Sequence, residues 1–385
     1  MVFIALNSST KKRNMLAIMM ALRQGGPMSK PDIVRATGLT NVTVNNFVNE
    51  LKDRSFVYEV GTDSSTGGRN ACLYQFNSKR LYTAGLTIGI SEIAFGLFDA
   101  DLSQLYEQRL PLDLNSMTVE QGIDRVYDFV RQGLEEMPVR SDSLAGMGIS
   151  VPGPVQYPKG VVCNLVNIPA WQNVPLKAIL EKRLGLPVMV DKDNYCNVAC
   201  LRWINPGEGN DNFVYLGLIN GVGAGIVVNG RVLRGRHYIL GELGHIGFGD
   251  CDGVCKCGNR GCVELAISDA FARAAAQGDA FARDNIYSCA DMLTTLFDCA
   301  IKAYDPDKIV VHSLWMDKYP DFFNFIVNRI YEKSILFGRD DMIIELNEVD
   351  NLFLKGAATL VLDEQFSIQN PGSLLYKKED KQIEQ

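Results

Sequence analysis

The 385-residue chain has no stretch approaching the ~18 to 20 uninterrupted apolar residues that a membrane helix needs. Its N-terminus also lacks the charged, apolar, small-residue succession of a secretory leader. The expectation is a soluble, cytoplasmic protein with no membrane partner. Nothing in the composition is extreme: 47% apolar and 22% charged residues exclude collagen-like, disordered and small disulfide-framework classes. At roughly 100 to 200 residues per domain, the length suggests two or three domains. Positive charge is in short supply, with 38 Lys or Arg against 45 Asp or Glu. Over the whole chain that balance argues against nucleic acid, because DNA affinity draws on neutralised phosphates.

The deficit is unevenly spread. Residues 1–80 hold eleven Lys or Arg against five Asp or Glu, and the remainder holds 27 against 40. A basic head on an acidic body points to a nucleic-acid contact in the head.

Apolar residues Met15, Leu16, Met19, Met20 and Leu22 predict an amphipathic helix over 11–24, ended by Gly25-Gly26-Pro27. Ser29 is a suitable N-cap for a second helix with Pro31 in its first turn, ending at Thr37-Gly38. Thr40 can cap a third helix to about Asp53, burying Val44, Phe47, Val48 and Leu51. That leaves Asn41, Thr43, Asn45, Asn46 and Asn49 outward, residue types that bond base edges well. Phe56 to Val60 and Ala71 to Phe76 alternate like a hairpin whose tip carries Thr66-Gly67-Gly68-Arg69, with Arg69 able to reach phosphate or a minor groove. The whole reads as a winged helix-turn-helix in which Thr40, Asn41, Thr43, Asn45, Asn46 and Arg69 contact DNA. A three-helix protein-interaction module with a solvated hairpin is the blander alternative.

From Leu81 strands alternate with helices, the mark of an α/β body. Strands are expected at 84–90, 93–98, 145–151 and 188–190, and helices at 119–135 and 176–184. Segments 213–219 and 224–228 repeat the opening strand pair, which suggests an internal duplication. Helices through 264–303 and a strand at 308–312 follow.

The sharpest local signal runs from Gly241-Glu242-Leu243-Gly244-His245 to Cys255-x-Cys257-Gly258 and Gly261-Cys262-Val263-Glu264. His245, Cys255, Cys257 and Cys262 make a tetrahedral Cys₃His set that suits zinc, and four protein ligands leave no open position, so the ion reads as structural rather than catalytic. Cys251 is a spare thiol that could replace one ligand.

The segment from His245 to Glu264, together with Val151-Pro152-Gly153-Pro154-Val155, Asn167-Ile168-Pro169-Ala170-Trp171 and Val190-Asp191-Lys192-Asp193, closely resembles the ROK family of sugar kinases and sugar-responsive repressors. The head resembles the winged helix-turn-helix of the family's repressor branch, which its kinases lack. The resemblance implies a two-lobed actin-like ATPase fold over 81–366 after a DNA-binding domain over 1–80, with 367–385 as a disordered tail. It also implies a sugar cleft in which Asn167, Glu242 and Glu264 bond hydroxyls, His245 serves the zinc and shapes the pocket, and Asp193 matches the kinase general base. Taken alone, Asp193 or Asn167 could equally cap a loop, and Glu264 could cap its helix.

Where ROK kinases carry D-x-G-G-T, this chain has Thr87-Ile88-Gly89-Ile90-Ser91. Their G-T-G corresponds to Ile219-Asn220-Gly221, and a Gly-Gly beside the adenosine pocket corresponds to His312-Ser313. Phosphoryl transfer needs those turns and that carboxylate. Lys192 also replaces an Asn, and Tyr195 a second Asn. The reading is a regulator, a repressor without catalytic residues, that binds operator DNA and a sugar or sugar phosphate as a homodimer or dimer of dimers. A sugar kinase with an accessory head is the alternative, and a body that docks a transport or signalling protein is a further one.

Overall fold

The computed structural model describes residues 9–63, 71–139, 143–205, 210–219, 221–247, 253–277, 286–334 and 342–366. Arg69 with the rest of the hairpin tip, Asn220, Cys251 and the stretch from Ser367 lie outside the described residues.

The head contains α1 (Ser9–Gly25), α2 (Lys30–Thr37) and α3 (Asn41–Asp53) with β1 (Met28–Ser29), β2 (Val57–Asp63) and β3 (Ala71–Phe76). The strands form an antiparallel sheet in the order β1-β3-β2. Ser29 caps α2 in a reciprocal box: its side chain accepts from Asp32 N–H, and Asp32 accepts from Ser29 N–H at 3.1 Å. A cap of this kind is worth about 1 kcal/mol. Gly38 then turns the chain in the left-handed region, φ 67°, as the tight turn before α3 requires. Met15, Leu16, Ile18, Met19 and Leu22 of α1 pack on Ile33, Val44, Val48 and Leu51. Ile18 takes the buried place that the sequence assigned to Met20, which is half-buried. Strand β2 runs three residues beyond the expected end because it passes through an irregularity between Glu59 and Gly61.

Next come β4 (Tyr82–Ile88), β5 (Glu92–Asp99), β6 (Gln104–Pro111), α4 (Val119–Glu136) and β7 (Leu144–Val151). A small sheet, β8 (Val155–Gln156), β9 (Val161–Leu165) and β10 (Ile168–Val174), precedes α5 (Leu176–Leu184), β11 (Val188–Lys192) and α6 (Asp193–Ile204). The second half has β12 (Phe213–Leu218), β13 (Val222–Val228), β14 (Arg231–Val232), α7 (Val263–Gln277), α8 (Ala290–Tyr304) and β15 (Lys308–His312). It closes with α9 (Leu314–Lys318), α10 (Pro320–Ser334), β16 (Ile343–Leu346) and α11 (Leu352–Phe366).

The two large sheets run β11-β7-β4-β5-β6 and β14-β13-β12-β15-β16. In each, the first two pairings in sequence are antiparallel and the later two parallel, so both halves share one strand order and one set of directions. The repeated strand pair in the sequence is thus part of a full five-strand duplication. Strand β6 escaped the sequence reading because it is a half-exposed edge strand carrying Glu107 and Arg109.

Helices α6 and α11 pack together, α11 on the first sheet and α6 chiefly against β12 and β13 of the second, and are buried nearly all round. Such helices show little amphipathic period. Glycines permit the close approach: a Cβ at Gly85 or Gly148 would collide with the α11 carbonyls of Leu354 and Ala357. The apolar core of the head continues without a break into this region, through Phe76, Leu81, Trp203, Val361 and Phe366.

Candidate functional site

Strand β11 ends, and α6 begins, on Asp191-Lys192-Asp193, three charged residues in succession at the edge of the first sheet. Asp191 is fully buried and receives two hydrogen bonds from Arg234, at 2.9 Å from Nε and 2.7 Å from Nη2. The Arg234 guanidinium lies 4.2 Å over the Tyr157 ring and 5.6 Å from that of Tyr195. Burial alone would lower the Arg234 pKa, which the Asp191 carboxylate more than reverses, while burial pushes the Asp191 carboxyl above its ordinary value against the pull of Arg234.

Lys192, only 3% exposed, donates from Nζ to Glu242 Oε1 at 2.6 Å. Burial pushes the Asp193 carboxyl up to about 6, with the Lys192 charge and the Asn194 N–H bond resisting the rise. A depression of about 320 Å³ opens beside Glu242, lined also by His237, Ile239, Leu240 and Tyr304.

From Glu242 the contacts lead to a metal-ligand cluster. His245 Nε2 is 3.9 Å from Glu242 Oε2, and its Nδ1 is 3.7 Å from Cys255 Sγ. Cys257 Sγ and Cys262 Sγ are 3.6 Å apart, and one ligand atom from each of the four residues lies within 4.8 Å of the others. Tetrahedral coordination with metal–sulfur bonds of about 2.3 Å separates sulfurs by about 3.8 Å, so the donor set fits an ion at its centre. These four residues could hold a metal ion, with Glu242 against the outer nitrogen of the histidine in the way that orients such ligands.

Two further predicted residues join the same network. Lys256, between Cys255 and Cys257, donates from Nζ to Asn167 Oδ1 at 2.8 Å. Glu264, in the first turn of α7, accepts from Val222 N–H at 2.9 Å and so ties α7 to the start of β13. Contacts therefore connect Asn167, Glu242, His245 and the Lys192-Asp193 corner, while Glu264 braces the neighbouring turn. Lys192, Lys256 and Arg234 were not predicted as site residues. Lys192 was visible as a departure from the kinase pattern, whereas Lys256 and Arg234 carried no local signal.

In the segments that match the kinases' nucleotide loops, the β4–β5 turn closes through Gly89 N–H to Glu92 O at 2.9 Å, and Gly89, Ile90 and Ser91 supply no carboxylate. His312 Nδ1 is bonded to Tyr215 Oη at 3.0 Å, Asn197 Nδ2 donates to the same oxygen at 3.0 Å, and the Phe353 ring lies 5.5 Å from the imidazole. Burial lowers the His312 pKa. Ser313 is buried and caps α9 by accepting from Met316 N–H. The two side chains that replace Gly-Gly are thus committed to internal contacts.

On the head, Asn41, Asn45 and Asn46 are exposed along α3, and Thr43 is half-exposed. Thr40 Oγ1 accepts from Thr43 N–H at 3.2 Å and bonds the Thr43 hydroxyl at 2.9 Å, so these two threonines shape the N-terminus of α3 as well as face outward. Val42, 70% exposed beside them, was not predicted. A solvated valine at the start of a polar helix face is its only signal, and it would suit a thymine methyl.

The twin five-stranded sheets define a mixed α/β fold of the actin-like kind. The chain belongs to the ROK family, whose pattern matches residues 83–364. It is 29% identical over 266 residues to the xylose repressor of Bacillus subtilis, covering 69% of this chain and 68% of that one. It is 24% identical over 379 residues to the DNA-binding transcriptional dual regulator NagC of Escherichia coli K12, covering 91% and 92%. Among solved structures, a ROK family transcriptional regulator described as a homolog of the E. coli MLC protein superposes with a TM-score of 0.77 at 23% identity, covering 96% of this chain and 99% of that one.

Proposed function

We propose that the protein is a sugar-responsive transcriptional repressor, with residues 1–80 as a winged helix-turn-helix and 81–366 as the sugar-sensing body. The observation that carries this reading is the union, on one chain, of the exposed Asn41, Asn45 and Asn46 face with a cleft corner that retains Asp193, Glu242 and Asn167. The names of the xylose and NagC relatives support it. Helix α3 would lie in a major groove with Arg69 at the flanking backbone or minor groove. Two heads of a homodimer would meet half-sites about 34 Å apart, one turn of DNA or a multiple of it.

A sugar seated against Asp193, Glu242, Asn167 and Glu264 favours one arrangement of the body over another. DNA affinity changes by the ligand's differential affinity for the two arrangements. Zinc on His245, Cys255, Cys257 and Cys262 would be structural: when bound it cross-links the loop that carries Lys256 and keeps His245 against Glu242. The missing carboxylate in the β4–β5 turn and the committed His312 and Ser313 side chains favour a body without phosphoryl transfer.

The test is a DNA-binding titration on the region upstream of the protein's own gene, repeated with free and phosphorylated sugars and with ATP. Salt-sensitive, sequence-selective binding that one sugar shifts supports the repressor. ATP-dependent phosphorylation of a sugar, lost in Asp193→Asn, would instead make the protein a kinase with an accessory head.

A further inference from the structure

Each of the two acceptors best placed to bond a sugar hydroxyl is engaged by a lysine. Glu242 Oε1 is held by Lys192 at 2.6 Å, and Asn167 Oδ1 by Lys256 at 2.8 Å. An ammonium has three N–H groups. Among the described residues, the Lys192 ammonium bonds Glu242 and lies 5.7 Å from the Tyr195 ring, with the Asp191 and Asp193 carboxyls near enough to feel its charge, so N–H groups remain for another acceptor. The Lys192 side chain is 4% exposed, so an unused N–H there lies where water is scarce. Lys192 is also the N-cap residue of α6.

Most of the surrounding charges are paired. Arg234 and Asp191 neutralise each other, as do Lys192 and Glu242. Lys256 bonds a neutral amide and makes no ion pair among the described residues. Asp193, with its carboxyl pushed up to about 6, takes up a proton more readily than an ordinary aspartate but is mostly ionised at neutral pH.

We infer that Lys192 and Lys256 are specificity-determining residues, and that the cleft takes an anionic sugar whose carboxylate or phosphate accepts from these two ammonium groups. This rests on the reading of the cleft as a sugar site and names its ligand class. The oxyanion would replace Asn167 as partner of Lys256 and share Lys192 with Glu242, in charge-assisted bonds that a hydroxyl forms less strongly.

The experiment is calorimetric titration of the full-length protein with matched pairs: glucose against glucuronate, gluconate and glucose 6-phosphate; N-acetylglucosamine against its 6-phosphate; xylose against xylonate. Within a pair that binds, the charged member should bind at least tenfold tighter. Preference for the acids places a carboxylate on the lysines, and preference for the phosphates places a phosphate there. Lys192→Asn should erase or reverse the preference, Lys192→Arg should retain it, and the solvent-facing Lys256→Gln should weaken it several-fold in a protein that still folds. A wild type that binds neutral sugars as tightly as their charged partners overturns the assignment while leaving the cleft reading standing. So does a charged preference untouched by both Lys192→Asn and Lys256→Gln. Absence of binding by every sugar overturns the cleft reading and this inference together.

Discussion

The guanidinium of Arg23, near the end of α1, lies 4.1 Å over the indole of Trp203, near the end of α6. The Trp203 Nε1 donates to Ala100 O at 2.9 Å, and its ring meets Phe366 edge-on at 5.2 Å. Arg23 Nε also stands 3.4 Å from Asp101 Oδ1, an ion pair without the alignment of a hydrogen bond. Because α6 begins at Asp193, one rigid element joins the cleft corner to the contact that seats the head.

Arg23→Ala should therefore loosen the link between ligand and DNA. The lost cation–π contact is worth about 0.5 to 2 kcal/mol. The expected outcome is a protein that folds, binds sugar and binds operator, but whose operator affinity responds at least several-fold less to sugar. Trp203 emission should shift in the variant, and a fluorescence titration paired with DNA binding checks both.

Removal of the metal should damage stability and ligand response together. Cys262→Ser, or a strong chelator, should lower bound zinc from about one ion per chain and cost on the order of 3 kcal/mol or more, since an ion on these four ligands would cross-link the stretch from His245 to Cys262. Metal analysis beside thermal unfolding measures this. Unchanged stability after full metal loss contradicts the structural role.

Asp193 gives a pH dependence of definite sign. Its folded-state pKa of about 6 lies above the ordinary value of 3.8. The folded protein therefore binds the proton more tightly than the unfolded chain, and this group's contribution to stability falls as pH rises from about 4 to 6. Asp193→Asn should stabilise the protein at pH 7.5, by on the order of 2 kcal/mol, with the advantage fading toward pH 4. Denaturant unfolding at several pH values checks it, and the same variant should lose sugar binding.

On the head, Asn45→Ala and Asn46→Ala should each weaken operator binding by about 1 to 3 kcal/mol while leaving binding to random DNA nearly unchanged, because base contacts specify and phosphate contacts position. Competitive binding to operator and random duplexes is the measurement. A uniform loss on both duplexes would show that these side chains do not read bases.

Much of this protein is local and so was legible along the chain. The caps at Ser29 and Thr40, the left-handed turn at Gly38 and the inward face Val44, Val48 and Leu51 depend on neighbours three or four residues away. The ligand set His245, Cys255, Cys257 and Cys262 spans only eighteen residues, and thiolate and imidazole chemistry identifies it before any fold is known. The charge division between head and body needs only counting.

Other features depend on partners far apart in the chain, and only the tertiary structure decided them. Helices α6 and α11 carry no strong period because neighbours surround them, and an edge strand such as β6 shows little apolar alternation. Lys192 and Glu242 are fifty residues apart, Asn167 and Lys256 eighty-nine, and Arg23 and Trp203 further still. Sequence pattern reports the environment of a residue averaged over its near neighbours. A buried ion pair or a stacked cation exists only once folding removes water from both partners and leaves each the best remaining company for the other.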